Sequence, residues 1–143
     1  MNFELIVFDW DGTLMDSEAR IVACVQAAFA DLELLPPTRE AARDIIGLGL
    51  AEAMARLNPE MDPATRAALG ERYRWHFLGS DPTPSALFPG ARETLDALAA
   101  RGYRLAVATG KSRRGLNQSL EETGLVGFFH ATRCADETFS KPN

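Results

Sequence analysis

Apolar residues change their spacing several times along the chain, and each change predicts an element. Glu4 to Phe8 is a short, nearly continuous apolar run, the pattern of a strand buried on both faces, as in a parallel sheet. From Ser17, read as an N-cap, the spacing turns helical: Ile21, Val25, Ala28, Phe29 and Leu32 fall on one face. Pro36-Pro37 stops that helix, and Thr38 caps a second one running to about Ile46. The stretch Ile46-Gly47-Leu48-Gly49-Leu50 breaks the pattern before another helix over 51–57, ended by Asn58-Pro59. Pro63 to Leu78 predicts a longer helix closed by Gly79. Residues 15–80 therefore read as helix and turn.

The character then changes. Residues 81–89 hold three prolines and read as a linker. Ala91 to Arg101 is a helix with Leu95 and Leu98 on one face and Gly102 at its end. Tyr103 to Ala108 is a second apolar strand run, ending at Thr109-Gly110. Ser112 to Thr123 is helical and stopped by Gly124, and Phe128 to Cys134 is a candidate third strand. Helices between strands imply parallel pairing in an α/β layer. The expected organisation is an α/β core of residues 1–14 and 82–143, interrupted by an all-helical insert over 15–81.

Composition narrows the class. The chain has 143 residues, 46% hydrophobic and 24% charged, as expected of a folded globular protein. A net charge of -5 weighs slightly against a nucleic-acid partner. Cys24 and Cys134 fit neither a metal cluster nor a disulfide framework and read as reduced core residues of a cytoplasmic protein. The N-terminus has no signal-peptide pattern, and no apolar stretch nears the roughly 18 residues of a membrane span. Lys111 and Lys141 are the two lysines among 15 basic residues, so any role for an amine has two candidates.

The first strand ends in a carboxylate. Asp9 follows Phe8, and Asp11-Gly12-Thr13 follows Trp10. Open α/β sheets bind ligands beyond the carboxyl ends of their strands, where Thr109 also falls. Asp9 capping a turn made by Asp11-Gly12 explains the same four residues as well as catalysis does. Read as chemistry, a carboxylate can attack phosphorus to form an acyl phosphate. A second carboxyl can protonate the leaving oxygen and later deprotonate a water. Separate surroundings divide the two roles by shifting their pKa values apart. Repulsion between a carboxylate and a phosphate, about 4 kcal/mol per charge pair at roughly 4 Å and an effective dielectric near 20, calls for a cation. Mg²⁺ suits hard oxygen ligands such as Asp.

In order, these segments resemble the haloacid dehalogenase superfamily, and within it the phosphoglycolate phosphatase-like members. "DWDGTLMDS" is similar to the first motif of that family, "YRLAVATGKS" to the second and "SKP" to the third. "LFPGARETLDALAARGY" resembles the segment leading into the second motif, and the helical insert resembles the family's cap. The resemblance implies a Rossmann-like core, here incomplete with about three strands. It makes Asp9 the nucleophile and a Mg²⁺ ligand. Asp11 becomes the general acid/base, offering its backbone carbonyl to the metal. Thr109 is implied to bind the phosphoryl group and Lys141 to steady charge on Asp9 and the phosphoryl oxygens. Gly12, Thr13 and Gly110 would shape the loops around the phosphate. The family's fourth acidic motif, after one more strand, has no counterpart here. Asp136 and Glu137 precede Lys141 and do not match it. The expectation is a C-terminally truncated phosphatase, nearly inactive as this fragment. Its Leu5–Phe8 edge would be open to pairing with another copy.

The remaining features divide between chemistry and packing. Gly47 and Gly49 form either a substrate loop of the cap or a plain helix break. Arg43 and Arg56 flank it as candidates for a substrate anion, although arginines are mostly solvated. Lys111 is an anion-binding candidate or a solvated turn residue. Tyr73 and Phe77 read as one packed face, His76 and His130 as structural or solvated, and Arg113 and Arg114 as solvated. Asp11 disfavours dehalogenation. The lack of any lysine before Lys111 disfavours Schiff-base chemistry, and Trp10 stands where transport ATPases carry lysine. The small helical cap implied by the resemblance suggests a small soluble phosphomonoester, phosphoglycolate first, with sugar phosphates and nucleoside monophosphates as the other candidates. A sugar phosphomutase or a non-catalytic assembly module are the alternatives.

Overall fold

The computed structural model describes residues 4–137. The chain divides at Asp16–Ser17 and at Ser85–Ala86 into two compact units.

The first unit is the α/β layer. Strand β1 (Leu5–Phe8), β4 (Arg104–Ala108) and β5 (Ala131–Arg133) form a parallel sheet in the order β1-β4-β5. Its register sets Phe8 opposite Val107 and Ala108 opposite Arg133. Helices α5 (Ala91–Ala100) and α6 (Arg113–Thr123) supply the crossovers. Leu105, Ala106 and Val107 are all buried, as a central strand requires. β1 departs from the expectation of two buried faces. Ile6 and Phe8 pack on the core cluster of Leu95, Leu105, Val107, Leu116 and Leu120, while Leu5 and Val7 are 50% and 55% exposed. As an edge strand with one covered face, β1 carries an alternating burial that its apolar run does not reveal.

A short antiparallel pair, β2 (Met15–Asp16) with β3 (Ala86–Leu87), closes this unit. It falls where helix and a proline linker are expected. The prolines confine β3 to two residues, and pairing with Met15 is a long-range contact that no local pattern reports. Phe88 N–H extends the ladder by donating to the Leu14 carbonyl at 2.9 Å.

The second unit is helical: α1 (Glu18–Asp31), α2 (Arg39–Asp44), α3 (Leu50–Leu57) and α4 (Pro63–Trp75). Its core is Ile21, Val25, Ala28, Phe29, Met54 and Leu69, all buried. Thr38 and Asp62 cap α2 and α4 through side-chain bonds to the N–H groups of Ala41 and Thr65, each 3.1 Å. Ser17, expected to do the same for α1, is buried but makes no capping bond through its side chain. The helix expected to run to Leu78 ends at Trp75 and widens into a π-helical turn, His76–Ser80, closed by Asp81 N–H on the His76 carbonyl at 2.9 Å. Asp31 anchors this end: its Oδ2 lies 2.8 Å from Arg72 Nε and 2.7 Å from His76 Nε2. Tyr73 and Phe77 stack at 5.7 Å, on one face as expected. No helix among the described residues is long and apolar enough to cross a membrane.

Candidate functional site

The loop after β1 is built on one carbonyl. Trp10 C=O accepts from Thr13 N–H at 3.2 Å, Leu14 N–H at 2.9 Å and Met15 N–H at 3.0 Å. Gly12 N–H returns to Met15 C=O at 2.9 Å. Gly12 has φ 82, a left-handed conformation that a side chain would strain. The result is a tight turn that carries Asp9, Asp11 and Thr13 just past the carboxyl end of the sheet.

Trp10 holds the turn in place. Its indole is fully buried, Nε1 donates to Ser119 Oγ on α6 at 2.8 Å, and its ring meets Phe129 edge-on at 6.1 Å. Because neighbouring side chains of an extended segment point to opposite sides, burying Trp10 leaves Asp9 on the other side, while Asp11, in the turn itself, is 9% exposed. Asp9 Oδ1 accepts from Trp10 N–H at 2.7 Å.

The adjacent strand ends at the same level. Continued past the strands, the register of Phe8 with Val107 sets Asp9 level with Ala108 and Trp10 level with Thr109, so Thr109 lies just past the same strand end. Thr109 is 5% exposed. Its N–H donates to Arg133 C=O at 3.0 Å, and its Oγ1 accepts from Lys111 N–H at 3.1 Å. Lys111 then reaches across to Asp11: Nζ to Oδ2 is 3.1 Å, with both side chains 10% exposed. So Lys111 is not a solvated turn residue. Ser112 begins α6 by accepting from Gly115 N–H at 3.1 Å.

Arg113, expected in solvent, is instead the hub of the neighbouring loop. It pairs with Glu137 at 2.7 Å and donates to Thr132 Oγ1 at 2.7 Å and to Thr132 C=O at 3.0 Å. Its own N–H is capped by Asp136 Oδ1 at 3.1 Å. The hydrogen bond from Arg113 lowers the Glu137 carboxyl below its ordinary pKa, and Glu137 raises that of Arg113. Burial pushes the Cys134 thiol up to about 11. Arg114 is exposed, as expected; the two neighbouring arginines look alike without the fold. His130 is structural, its Nδ1 accepting from Leu105 N–H at 3.2 Å.

Asp9, Asp11, Gly12, Thr13, Thr109, Gly110 and Lys111 thus belong to one unit, on loops at one end of its sheet. Gly47, Gly49 and Arg43 belong to the helical unit. Gly47 has φ 100, and Arg43 Nε lies 3.8 Å from Glu18 Oε1, with Arg39 on the other oxygen at 3.3 Å. Lys141 lies outside the described residues. Among the described residues no three His, Cys, Asp or Glu side chains cluster to cage a metal. Trp10 and Ser119 were not legible as site residues. Their only signal is a tryptophan between two aspartates, which speaks against a transport ATPase but does not point to a wedge.

A family model described as haloacid dehalogenase-like hydrolase matches residues 6–143. The chain is 35% identical over 144 residues to a phosphoglycolate phosphatase of Agrobacterium fabrum, covering 97% of this chain and 62% of that protein. It is 36% identical to a probable phosphatase, IndB, of Dickeya dadantii, covering 92% and 59%. The crystal structure of a predicted phosphoglycolate phosphatase from Haemophilus somnus superposes with a TM-score of 0.85 at 26% identity, over 96% of this chain and 64% of that one. A haloacid dehalogenase-like family hydrolase from Streptococcus pneumoniae, at 23% identity and a TM-score of 0.79 over 92% and 60%, shares the fold. The chain spans about three-fifths of the length of the curated relatives it matches.

Proposed function

The chain belongs to the haloacid dehalogenase-like hydrolase family, and from that premise we propose that the whole protein hydrolyses a small phosphomonoester of the phosphoglycolate type. The observation that carries this reading is the Trp10 wedge, which holds the turn bearing Asp9 and Asp11 at the same sheet end as Thr109. The relatives named phosphoglycolate phosphatase support the substrate class.

In the reaction, a carboxylate oxygen of Asp9 attacks phosphorus as the ester P–O bond breaks, giving an aspartyl phosphate. Asp11 gives its proton to the departing alkoxide. It then takes a proton from water as that water attacks the acyl phosphate, releasing phosphate and restoring Asp9. The Thr109 hydroxyl donates to a phosphoryl oxygen, and Gly12, Thr13 and Gly110 shape the loops around the phosphate. Lys141 is assigned the charge-steadying role on the family resemblance.

The Asp9 carboxylate and the Asp11 main-chain carbonyl, on one turn, are hard oxygen donors of the kind Mg²⁺ takes. That ion takes one or two protein carboxylates and keeps waters and substrate phosphate as its other ligands. Asp9 and the Asp11 main-chain carbonyl would hold it. When bound, Mg²⁺ masks the repulsion between carboxylate and phosphate. We read the helical unit as the cap that selects substrate, and the two free cysteines as fitting a reducing cytoplasm.

The test is phosphate release from phosphoglycolate with Mg²⁺, in the 143-residue chain and in any longer product of the same reading frame. Asp9→Asn is expected to abolish turnover in whichever form is active. Retained turnover by that variant overturns the reading.

A further inference from the structure

Lys111 is held on every side that the structure describes. Its N–H is bonded to Thr109 Oγ1 at 3.1 Å, and its carbonyl accepts from Ala135 N–H at 2.9 Å. Its stem lies over Gly115 in the first turn of α6. A Cβ added there would sit 3.5 Å from Lys111 Cε and 3.3 Å from Ser112 Oγ. The ammonium ends 3.1 Å from Asp11 Oδ2, with only a tenth of either side chain exposed. A lysine in solvent samples many rotamers. This one has its backbone fixed at both ends and its stem laid along a glycine, so the charge arrives at one place.

We propose that Lys111 is the positioning residue of Asp11. The ammonium pins Oδ2, which fixes the rotation of the carboxyl group and so the direction in which its other oxygen exchanges a proton with the ester oxygen. The inference rests on the hydrolase reading for its kinetic consequence, but the ion pair itself is testable without turnover. It departs from the sequence expectation that Lys111 serves the phosphate directly. A phosphate ligand would stabilise every substrate alike, whereas a group that orients the acid matters most when the leaving group needs a proton.

The experiment has two arms. In the first, the 143-residue chain is labelled with ¹⁵N-lysine. A held ammonium exchanges slowly with water and gives a resolved proton–nitrogen signal, identified by its absence in Lys111→Met. The signal is expected in the parent chain and lost in Asp11→Asn. A missing signal, or one indifferent to Asp11→Asn, overturns the proposal. In the second arm, kcat/KM is compared for phosphoglycolate, an alkyl ester, and for a nitrophenyl phosphate, whose anion leaves without a proton. General acid catalysis contributes on the order of 10²–10⁴, so in Lys111→Met the alkyl-to-aryl ratio should fall by about tenfold or more. Lys111→Arg, which keeps the charge, should recover part of the loss. Equal losses on both substrates, expressed in KM, make Lys111 a phosphate ligand. Equal losses with a lowered Tm make it structural. Either result overturns the positioning role. If no form of the protein turns over either ester, the hydrolase reading fails, and the first arm still decides whether Lys111 pins Asp11.

Discussion

Trp10 Nε1 donates to Ser119 Oγ at 2.8 Å, a bond between two buried side chains that joins the turn after β1 to the middle of α6. This bond fixes the residue that stands between Asp9 and Asp11, because the buried indole has one place to go. Ser119→Ala leaves the indole N–H buried with no acceptor from that residue, at a cost of about 1–3 kcal/mol. The expected outcome is a lower urea midpoint with an unchanged slope, together with reduced turnover from a loosened turn. An unchanged midpoint would show that the indole finds another acceptor.

Arg113 and Glu137 tie α6 to the loop after β5, and the hydrogen bond from Arg113 lowers the Glu137 pKa. A carboxyl whose folded-state pKa lies below its unfolded value adds stability above the unfolded value. That stability goes as pH falls through the folded value. The stability difference between the parent chain and Glu137→Gln should therefore be present at neutral pH and shrink on acidification below the usual carboxylate range. Urea midpoints across that range provide the check, and a difference independent of pH would contradict the pairing.

The element order and the strand-end chemistry were legible because both are written locally. Apolar runs of strand length, helical spacing with a cap at Thr38, and aspartates directly after Phe8 each report themselves within a few residues. What stayed hidden depends on partners far along the chain. β3 is two residues in a proline-rich stretch and exists only because Met15–Asp16 lies beside it. Arg113 reads like Arg114 until β5 brings Thr132 and Glu137 to it. Leu5 and Val7 look as buried as Ile6 until the fold shows that the core covers one face of β1. For the same reason the Lys111–Asp11 pair, formed across a strand pairing, could not be chosen over a solvated turn.

Cys134 is fully buried, and burial raises its thiol to about 11. Reaction with a disulfide reagent needs the thiolate, so at mildly alkaline pH Cys134 should stay silent in the folded chain. Cys24, also 0% exposed, should do the same. Both are expected to react together once urea unfolds the protein, which a thiol titration against denaturant will show. A folded-state pKa above the unfolded one also means that the neutral thiol of Cys134 supports the fold at neutral pH and that this support fades as pH rises toward about 11. Fast labelling of Cys134 in native buffer would contradict its burial.

Two N-caps offer a matched test of which helix start serves chemistry. Thr38 and Ser112 each accept one backbone N–H at 3.1 Å, from Ala41 and Gly115. Alanine at either position should cost about 1 kcal/mol, the usual value of such a cap. The consequences differ because Ser112 ends the turn that carries Thr109 and Lys111, whereas Thr38 starts the six-residue helix α2 in the other unit. Ser112→Ala frees the first turn of α6, over which the Lys111 stem lies. It should therefore reduce turnover of an alkyl phosphate by more than its stability loss explains at a temperature where the protein stays folded. Thr38→Ala should reduce stability alone. Steady-state kinetics beside urea midpoints separate the two, and equal kinetic effects from both variants would mean that the α6 cap has no part in holding the site.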